Sequence, residues 1–360
     1  MVNAVGKREA GGMVTLKDIA EKTGFSINTV SHALRDKPDI SEKTKRLVEK
    51  TAREMGYIGN ALASSMRSGI SKTIAVIIGD ISNPLFGIMA KEMEISLGEL
   101  GYNMFIMNTN EDPEIEKKAI LSALNKSVDG LILCPTQKND EIPELLENIN
   151  IPYVLLGRRP NNIQLQPNYI VWDDFEGGLL ATEHLLSLGH KRILCLSGPL
   201  YISSACDRLN GYYTAHKNWD VPVDERLVKR LTLVGHDLDK TIREAMECDG
   251  GFTGVFAFSD MIAWETIHTL KKMKKKIPDD ISVVGFDDIQ SKLAFPFGLT
   301  TIHTPKTVMA VKLVEVLMKK INKKRKKVVQ AVLPVELVIR ETTKQVENNF
   351  RRNNDEKTFA

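Results

Sequence analysis

From Thr73 onward, short apolar runs alternate with longer stretches in which apolar residues recur every three or four positions. Short runs of this kind are typical of strands, and the periodic stretches are typical of amphipathic helices. The apolar runs are TIAVII, NMFIMN, GLILCP and YVLLG in a first series, and RILCLSG, GVFAFSD and ISVVGFD in a second. Two series of strand–helix alternation predict two similar lobes, each a doubly wound parallel sheet. Ligands in such lobes are expected at the carboxyl ends of the strands, in the cleft between the lobes.

The first seventy residues have a different pattern, that of three short amphipathic helices. Thr15 with Asp18 three positions later is typical of a capped helix start, and Ser26 and Ser41 stand where caps of two further helices are expected. Gly24 supplies the first turn, and residues 36–38 are predicted to stop the second helix. Two short helices joined through a glycine predict a helix-turn-helix. Residues expected to face one small core are Leu16, Ile19, Ala20, Ile27, Val30, Ala33, Leu34, Leu47, Val48, Thr51 and Met55.

The second of these helices leaves Asn28, Thr29, Ser31 and His32 to face outward. Short polar side chains suit a helix that lies in the major groove, because amide and imidazole groups can bind base edges and hydroxyls can bind phosphates. A polar face that contacts only water is the alternative. The small, polar residues 59–71 that follow the three helices are typical of a linker.

Charge is distributed unevenly along the chain. Residues 1–72 carry 13 Lys and Arg against 8 Asp and Glu, a net charge of +5, so residues 73–360 contribute −2 to the total of +3. The excess positive charge therefore lies where it could neutralise phosphates. Two lysine-rich runs, residues 271–276 and 319–327, are interpreted as solvated ends of amphipathic helices rather than as nucleic-acid patches.

Other sequence features argue against several classes of protein. The four cysteines are too far apart for a zinc site or a disulfide framework, and neither a membrane-length apolar run nor a signal-peptide core is present. The sequence has no glycine-rich nucleotide loop, Walker motif or nucleophile elbow. We expect a cytoplasmic protein that is not an enzyme, with no catalytic residue, no cofactor and no metal.

Residues 14–57, VTLKDIAEKTGFSINTVSHALRDKPDISEKTKRLVEKTAREMGY, resemble the DNA-binding headpiece of the lactose repressor (LacI/GalR) family of bacterial transcription regulators nearly position by position. The resemblance continues through GNALASSMRSGISKTIAVIIGDISNPLF and, more loosely, to about Thr342. It implies a small all-α helix-turn-helix headpiece followed by a bilobal, periplasmic-binding-protein-like α/β body of two doubly wound parallel sheets. The expected boundaries are headpiece 13–58, hinge 59–72, lobe 1 at about 73–171 and 303–328, lobe 2 at about 172–302 and 329–342, and flexible ends at 1–12 and 343–360.

The resemblance also implies which residues contact DNA. It places base reading on Ile27, Asn28 and His32, and phosphate contacts on Thr15, Ser26, Thr29 and Ser31. In the family the hinge forms a helix on specific DNA and inserts an apolar side chain into the minor groove, roles that fall here on Ala63 and Met66. Leucine is usual where Met66 stands, and methionine is a more flexible wedge. A disordered tether is the alternative for this segment.

Six residues at predicted strand ends or at matching family positions are candidates for effector binding: Asp80, Phe86, Arg158, Arg208, Ser259 and Asp287. An aromatic ring with several polar groups suits a sugar, which has an apolar face and a fringe of hydroxyls. Arg208 in DRLNGY and Asp287 in VGFDD match effector positions of the family. The alternatives are plain core for Phe86 and a structural ion pair for Arg208, and Asp260 is interpreted as the cap of a helix that begins at Met261.

Residues and resemblance together predict a sequence-specific DNA-binding transcriptional repressor. We expect a homodimer on a near-palindromic double-stranded operator, with a sugar in the cleft shifting the balance between two lobe arrangements. Two alternatives stay open: control by a phosphoprotein corepressor, and a sugar-binding receptor without DNA activity. No membrane contact is expected.

Overall fold

The computed structural model describes residues 13–58, 69–138, 141–149, 151–161, 166–293, 297–322 and 327–346. The chain divides into two compact units between Ser71 and Lys72. The hinge candidates Ala63 and Met66 lie outside the described residues, as do both predicted flexible ends except residues 343–346.

The first unit is a bundle of three helices, α1 (Leu16–Thr23), α2 (Ile27–Ala33) and α3 (Glu42–Glu54). Each begins at the predicted cap: the side chains of Thr15, Ser26 and Ser41 accept hydrogen bonds from backbone N–H groups of the first turns. Thr15 and Asp18 form a reciprocal capping box. The buried core consists of Ile19, Ala20, Val30, Ala33, Val48 and Ala52. A seven-residue helix such as α2 is stable only because it packs on this core.

Two details of the headpiece differ from the prediction. Ile27 and Leu47 were expected in the core but are 50% and 47% exposed. The buried side of α3 runs through Val48, Thr51 and Ala52, which turns Leu47 toward solvent. The second helix ends at Ala33, before the expected stop at residues 36–38, and Asp36 takes a left-handed φ of 52° in the turn that follows.

The second unit contains two six-stranded sheets. The first sheet holds β1 (Thr73–Ile78), β2 (Asn103–Asn108), β3 (Gly130–Leu133), β4 (Tyr153–Leu156), β5 (Tyr169–Trp172) and β11 (Gln330–Leu333), in the order β11-β5-β4-β3-β1-β2. All of its pairings are parallel. The helices of this lobe are α4 (Pro84–Glu99), α5 (Pro113–Asn125), α6 (Glu141–Asn148) and α11 (Lys306–Ile321).

The second sheet holds β6 (Ile193–Ser197), β7 (Val228–Arg230), β8 (Gly254–Ala257), β9 (Ser282–Asp287), β10 (Thr300–His303) and β12 (Glu336–Val338), in the order β12-β10-β9-β8-β6-β7. The edge strand β12 is antiparallel to β10, whereas the other pairings are parallel. The helices of this lobe are α7 (Asp174–Ser187), α8 (Ser203–Asn218), α9 (Leu238–Glu247) and α10 (Asp260–Lys272). The predicted fold class is confirmed: short helix-turn-helix helices precede a two-sheet α/β body.

The segment 329–342 was expected to belong to lobe 2, but it is divided between the two lobes. Gln330–Leu333 pairs with β5 in the first sheet, and only Glu336–Val338 joins the second. The reason is the position of α11, which packs on the first sheet, so that the chain leaving it reaches the edge of that sheet first.

The start of the expected flexible tail, residues 343–346, is also attached to the body. The backbone N–H of Lys344 donates to Ser282 Oγ at 3.0 Å, and that of Val346 donates to the Leu188 carbonyl at 2.9 Å. Within the described residues, no helix has both the length and the apolar character needed to cross a membrane.

Candidate functional site

The surface of α2 carries the side chains predicted to read bases. Ile27 and Asn28 lie exposed in its first turn, and His32 lies one turn after Asn28 and is partly exposed. Of the predicted phosphate contacts, Thr15 and Ser26 are exposed helix caps, and Thr29 and Ser31 are partly exposed. Side chains four positions apart share one helix face, so Asn28 and His32 point to the same side.

His32 has a partner that sequence reasoning missed. Its Nδ1 lies 2.7 Å from the Asp39 carboxylate, in the turn between α2 and α3. The hydrogen bond with His32 lowers the pKa of Asp39. Helical periodicity relates residues three or four positions apart, so it could not predict a contact between residues seven positions apart across a turn.

A cavity of about 640 Å³ opens between the two lobes. All six predicted effector residues line it: Asp80, Phe86, Arg158, Arg208, Ser259 and Asp287. Asp80, Arg158 and Asp287 come from the carboxyl ends of parallel strands, and Phe86 and Ser259 from the starts of the helices that follow. The cavity therefore lies where an α/β fold of this kind binds ligands.

Lobe 1 presents an arginine whose hydrogen bonds are directed into the protein. Arg158 Nη1 and Nη2 each donate to one oxygen of Glu111 at 2.8 Å, and Nη1 also donates to the Pro135 carbonyl at 2.7 Å. Both charged side chains are buried. Nearby, Glu116 Oε2 accepts from Thr136, while burial raises the pKa of Glu116 to about 7.

Lobe 2 presents a second buried arginine, held by two aromatic rings, one carboxylate and one backbone carbonyl. The Arg208 guanidinium lies 3.5 Å from the Phe286 ring centre and 4.7 Å from that of Phe258. Its Nε donates to Asp174 Oδ1 at 2.8 Å and its Nη1 to the Phe258 carbonyl. Helices α7 and α8 pack closely, which brings Arg208 to Asp174. Gly178 permits this packing because it has no side chain: a Cβ there would lie 2.1 Å from the Arg208 carbonyl oxygen.

Asp287 lies beside Arg208 without being hydrogen-bonded to it. Arg208 Nη2 is 4.0 Å from Asp287 Oδ1, and that oxygen has no hydrogen-bond partner among the residues that the structure describes. Burial raises the pKa of Asp287, and the positive charges of Arg208 and Lys306 partly oppose the rise. The backbone at Asp287 has a φ of 111°, a strained value for a residue with a side chain.

The neighbouring Asp288 is fully paired instead. Its two oxygens lie 2.7 Å from Arg340 Nη2 and 2.8 Å from His303 Nδ1.

The interpretation of Asp260 as a helix cap is wrong. Ser259 caps α10, and its side chain accepts from the Ile262 N–H at 3.3 Å. Asp260 is the first residue of the helix and accepts hydrogen bonds from Thr301 Oγ1 and the Ile289 N–H. The short strand that contains Thr301 had not been predicted, so sequence reasoning had no partner for this carboxylate.

Several other cavity residues escaped prediction. They are Glu111, Trp172, Phe258, His236 and Glu265. Glu111 lies in a turn at a left-handed φ of 56°, and Trp172 ends a four-residue strand that periodicity did not reveal. Of these five residues, only Phe258 could have been identified from the sequence, because it lies near the carboxyl end of the predicted strand GVFAFSD. Across the described part of the chain, no group of three or more His, Cys, Asp and Glu side chains could hold a metal ion.

Two family models match the chain. Residues 15–60 match "Bacterial regulatory proteins, lacI family", and residues 71–341 match "Periplasmic binding proteins and sugar binding domain of LacI family". The chain belongs to the LacI family. It is therefore a DNA-binding transcriptional regulator with a ligand-binding domain, and it is not an enzyme.

Individual relatives agree with the LacI-family assignment. The chain is 33% identical over 331 residues to the HTH-type transcriptional regulator DegA of Bacillus subtilis (strain 168), an alignment covering 91% of this chain and 98% of DegA. A lac repressor dimer bound to operator and the anti-inducer ONPF has a similar structure, with a TM-score of 0.79, 26% identity, and coverage of 92% of this chain and 100% of that one. A regulator from Enterococcus faecium with bound ribose has a TM-score of 0.65 at 27% identity, over 76% of this chain and 100% of the other.

Proposed function

We propose that this LacI-family chain is a cytoplasmic repressor that binds a near-palindromic operator as a homodimer, and that an uncharged sugar in the inter-lobe cavity controls its affinity for DNA. The observation that carries the proposal is the convergence of the six residues predicted from the sequence, from both lobes, on one cavity.

The headpiece supplies the DNA contacts. Ile27, Asn28 and His32 read base edges from α2, because an amide and an imidazole one turn apart can reach neighbouring base pairs in the major groove. The hydroxyls of Thr15, Ser26, Thr29 and Ser31 bind backbone phosphates, and Ala63 and Met66 occupy the minor groove. The net charge of +5 over residues 1–72 supports binding to a polyanion.

Charge in the cavity favours an uncharged ligand. The two arginines that line it already face buried carboxylates, Arg158 on Glu111 and Arg208 on Asp174. Asp80, Glu265 and Asp287 add further negative groups to the lining. A phosphorylated or acidic sugar would meet this excess of carboxylates and be repelled, whereas sugar hydroxyls can donate to them.

Two buried polar atoms indicate where hydroxyls would bind. Asp287 Oδ1 and Trp172 Nε1 have no hydrogen-bond partner in the described residues, and both side chains line the cavity. One is an acceptor and the other a donor, and a sugar hydroxyl can serve either of them. The volume of about 640 Å³ is that of an ordinary small-molecule site, and the ribose-bound regulator of Enterococcus faecium supports a sugar.

Polar contacts between the lobes provide a means of coupling. Gln137 Oε1 accepts from the Ser203 N–H at 3.0 Å, and Arg159 Nη2 donates to Asp207 at 2.9 Å. A ligand that binds the two lobe arrangements with different affinity shifts their populations, and the hinge transmits that shift to the headpieces.

The edge of the first sheet supports the homodimer. Phe105 and Ile106 on the edge strand β2 are 42% and 43% exposed, and Ile95 on α4 is 52% exposed. Apolar side chains gathered at a strand edge are typical of an association surface. The dimeric lac repressor, which has a similar structure, is consistent with this.

Selection of bound sequences from a random duplex pool, repeated with a panel of neutral, acidic and phosphorylated sugars, tests the proposal. We expect a palindrome whose enrichment changes with one neutral sugar. Weak binding to every duplex, abolished by salt and indifferent to all sugars, would refute the proposal.

A substitution on α2 tests base reading. Asn28→Ala should cost about 1 to 3 kcal/mol of operator binding and relax the preference at one base pair in each half-site. Binding isotherms on single-base operator variants measure both quantities. Equal weakening on all variants would instead place Asn28 among the phosphate contacts.

A further inference from the structure

The pair formed by His32 and Asp39 links the recognition helix to the turn behind it. His32 Nδ1 and Asp39 Oδ2 are 2.7 Å apart, and the His32 side chain is 34% exposed. The ring is thus held at one nitrogen while part of it still faces outward on the side of α2 that carries Asn28.

The turn that presents Asp39 is itself held in place. The N–H groups of Arg35 and Lys37 both donate to the His32 carbonyl, at 3.2 and 3.1 Å. Lys45, which is buried, binds Asp36 at 2.6 Å and Glu42 at 3.1 Å, which ties the turn to α3. Asp39 is therefore supported by the fold of the headpiece rather than by a loose loop.

The chemistry of the pair restricts the ring. An ionised carboxylate only accepts hydrogen bonds, so Nδ1 must carry the proton that it shares with Asp39. This is true of the neutral ring and of the protonated ring alike. Nε2 is then the nitrogen that remains for another partner, and the plane of the ring is fixed.

We propose that Asp39 is a positioning residue for operator specificity: by holding Nδ1 of His32, it orients the ring so that Nε2 alone faces a base edge. The inference rests on the proposed function, since it takes His32 to be a base-reading residue. It adds a determinant of sequence preference that does not itself touch DNA.

The first test compares base preference among variants of the full-length protein. His32→Ala should abolish the preference at one base pair in each half-site. Asp39→Ala should reduce discrimination at that same base pair by about threefold to tenfold, the range of one hydrogen bond, and leave the other positions unchanged. The double variant should match His32→Ala, because Asp39 acts only through the ring.

Glu54→Gln is the matched control, since it removes one negative charge from the headpiece at an exposed side chain that pairs with Lys50 on α3, away from the turn that presents Asp39. It should leave the preference at the His32 base pair unchanged. A loss of discrimination in this control equal to that of Asp39→Ala would show a general effect of charge and overturn the proposal. The proposal would also be overturned if the losses of discrimination caused by His32→Ala and Asp39→Ala were additive in the double variant.

A second measurement does not depend on DNA. Long-range ¹H–¹⁵N correlation spectra of the histidine-labelled protein, assigned with His32→Gln, should show a proton on His32 Nδ1 that Asp39→Ala displaces. An unprotonated Nδ1 in the unsubstituted protein would refute the positioning role even if operator binding is normal. Failure of the unsubstituted protein to select any operator would refute the proposed function as well, and the two failures are thereby distinguished.

Discussion

The two walls of the cavity each contain one buried arginine, and the two arginines are held differently. Arg158 in lobe 1 makes a two-pronged ion pair with Glu111. Arg208 in lobe 2 is stacked on two aromatic rings and pairs with Asp174 through Nε alone, and its Nη2 lies 4.0 Å from Asp287 Oδ1, beyond hydrogen-bond distance.

The difference indicates which arginine contributes mainly to the stability of the fold and which is available to bind a ligand. A bidentate pair buried on both sides satisfies its charges internally, and removing one partner leaves the other charge buried and alone. Arg208 uses only Nε on Asp174, and Asp287 Oδ1 beside its Nη2 has no partner in the described residues, so both groups still have hydrogen bonds to make. We therefore expect changes at Arg158 and Glu111 to affect stability first, and changes at Arg208 and Asp287 to affect ligand binding first.

The largest effect is expected for Glu111→Gln. The substitution keeps the shape of the side chain but removes the charge opposite Arg158, so the body should lose about 3 to 5 kcal/mol of unfolding free energy. Urea denaturation measures it. Glu141→Gln, which removes one partner of the exposed pair Lys117–Glu141 in the same lobe, is the control and should cost less than about 1 kcal/mol.

Arg208→Lys should come next, with its main effect on the ligand. Lysine lacks the flat guanidinium that stacks on Phe286 and Phe258, so the affinity for the sugar should fall about tenfold to a hundredfold. Calorimetric titration with the sugar found by selection measures it. Arg192→Lys, at an ion pair with Asp224 in the same lobe but outside the cavity lining, should leave the affinity unchanged. Equal losses in both variants would remove the distinction between the two walls.

A smaller effect is expected for Glu116→Gln, and it depends on pH. Burial raises the pKa of Glu116 from its ordinary value of 4.5 to about 7 in the folded state, so the unfolded chain releases this proton first and stability falls as pH rises through that window. Glutamine can keep the hydrogen bonds from Thr136 and has no proton to release. Relative to the unsubstituted protein, the variant should therefore gain about 1 to 2 kcal/mol between pH 4.5 and pH 8.

Thermal unfolding across that pH range checks the sign of the Glu116 effect. Glu111→Gln provides the contrast within the same lobe, because it should destabilise the protein at pH 8, where Glu116→Gln should not. A parallel loss of stability for both variants at pH 8 would mean that Glu116 is paired in solution.

The smallest effect is expected at the contact between the walls. Asp207→Asn weakens the half-exposed ion pair with Arg159, which contributes at most about 1 kcal/mol. Removing it should shift the lobe populations slightly and change the sugar concentration for half-maximal release or capture of operator by about twofold to fivefold, by the linkage between sites. Operator binding titrated with sugar measures this shift.

The headpiece shows how much local sequence can reveal. Caps, turns and helical faces depend on residues three or four positions apart, and Thr15, Ser26 and Ser41 cap the three helices as predicted. What was missed there, the exposure of Leu47 and the pair between His32 and Asp39, depends on how α3 packs and where the turn leads. In the body, strands with continuous apolar runs were found, but the short strands β5, β7, β10, β11 and β12 were not, because three or four residues carry too little periodicity.

The sequence by itself determined the two kinds of domain and indicated six of the residues that line the cavity. Residues that follow parallel strands meet at one edge of a sheet whatever the details of packing, whereas Arg208, inside α8, was indicated only by the resemblance to the family. The tertiary structure decided what each of those residues binds. Arg158 and Glu111 are 47 positions apart, and Arg208 and Asp174 are 34 apart. The physical reason is that hydrogen bonds and ion pairs act over about 3 Å of space, and only the packed fold determines which distant side chains come within that range.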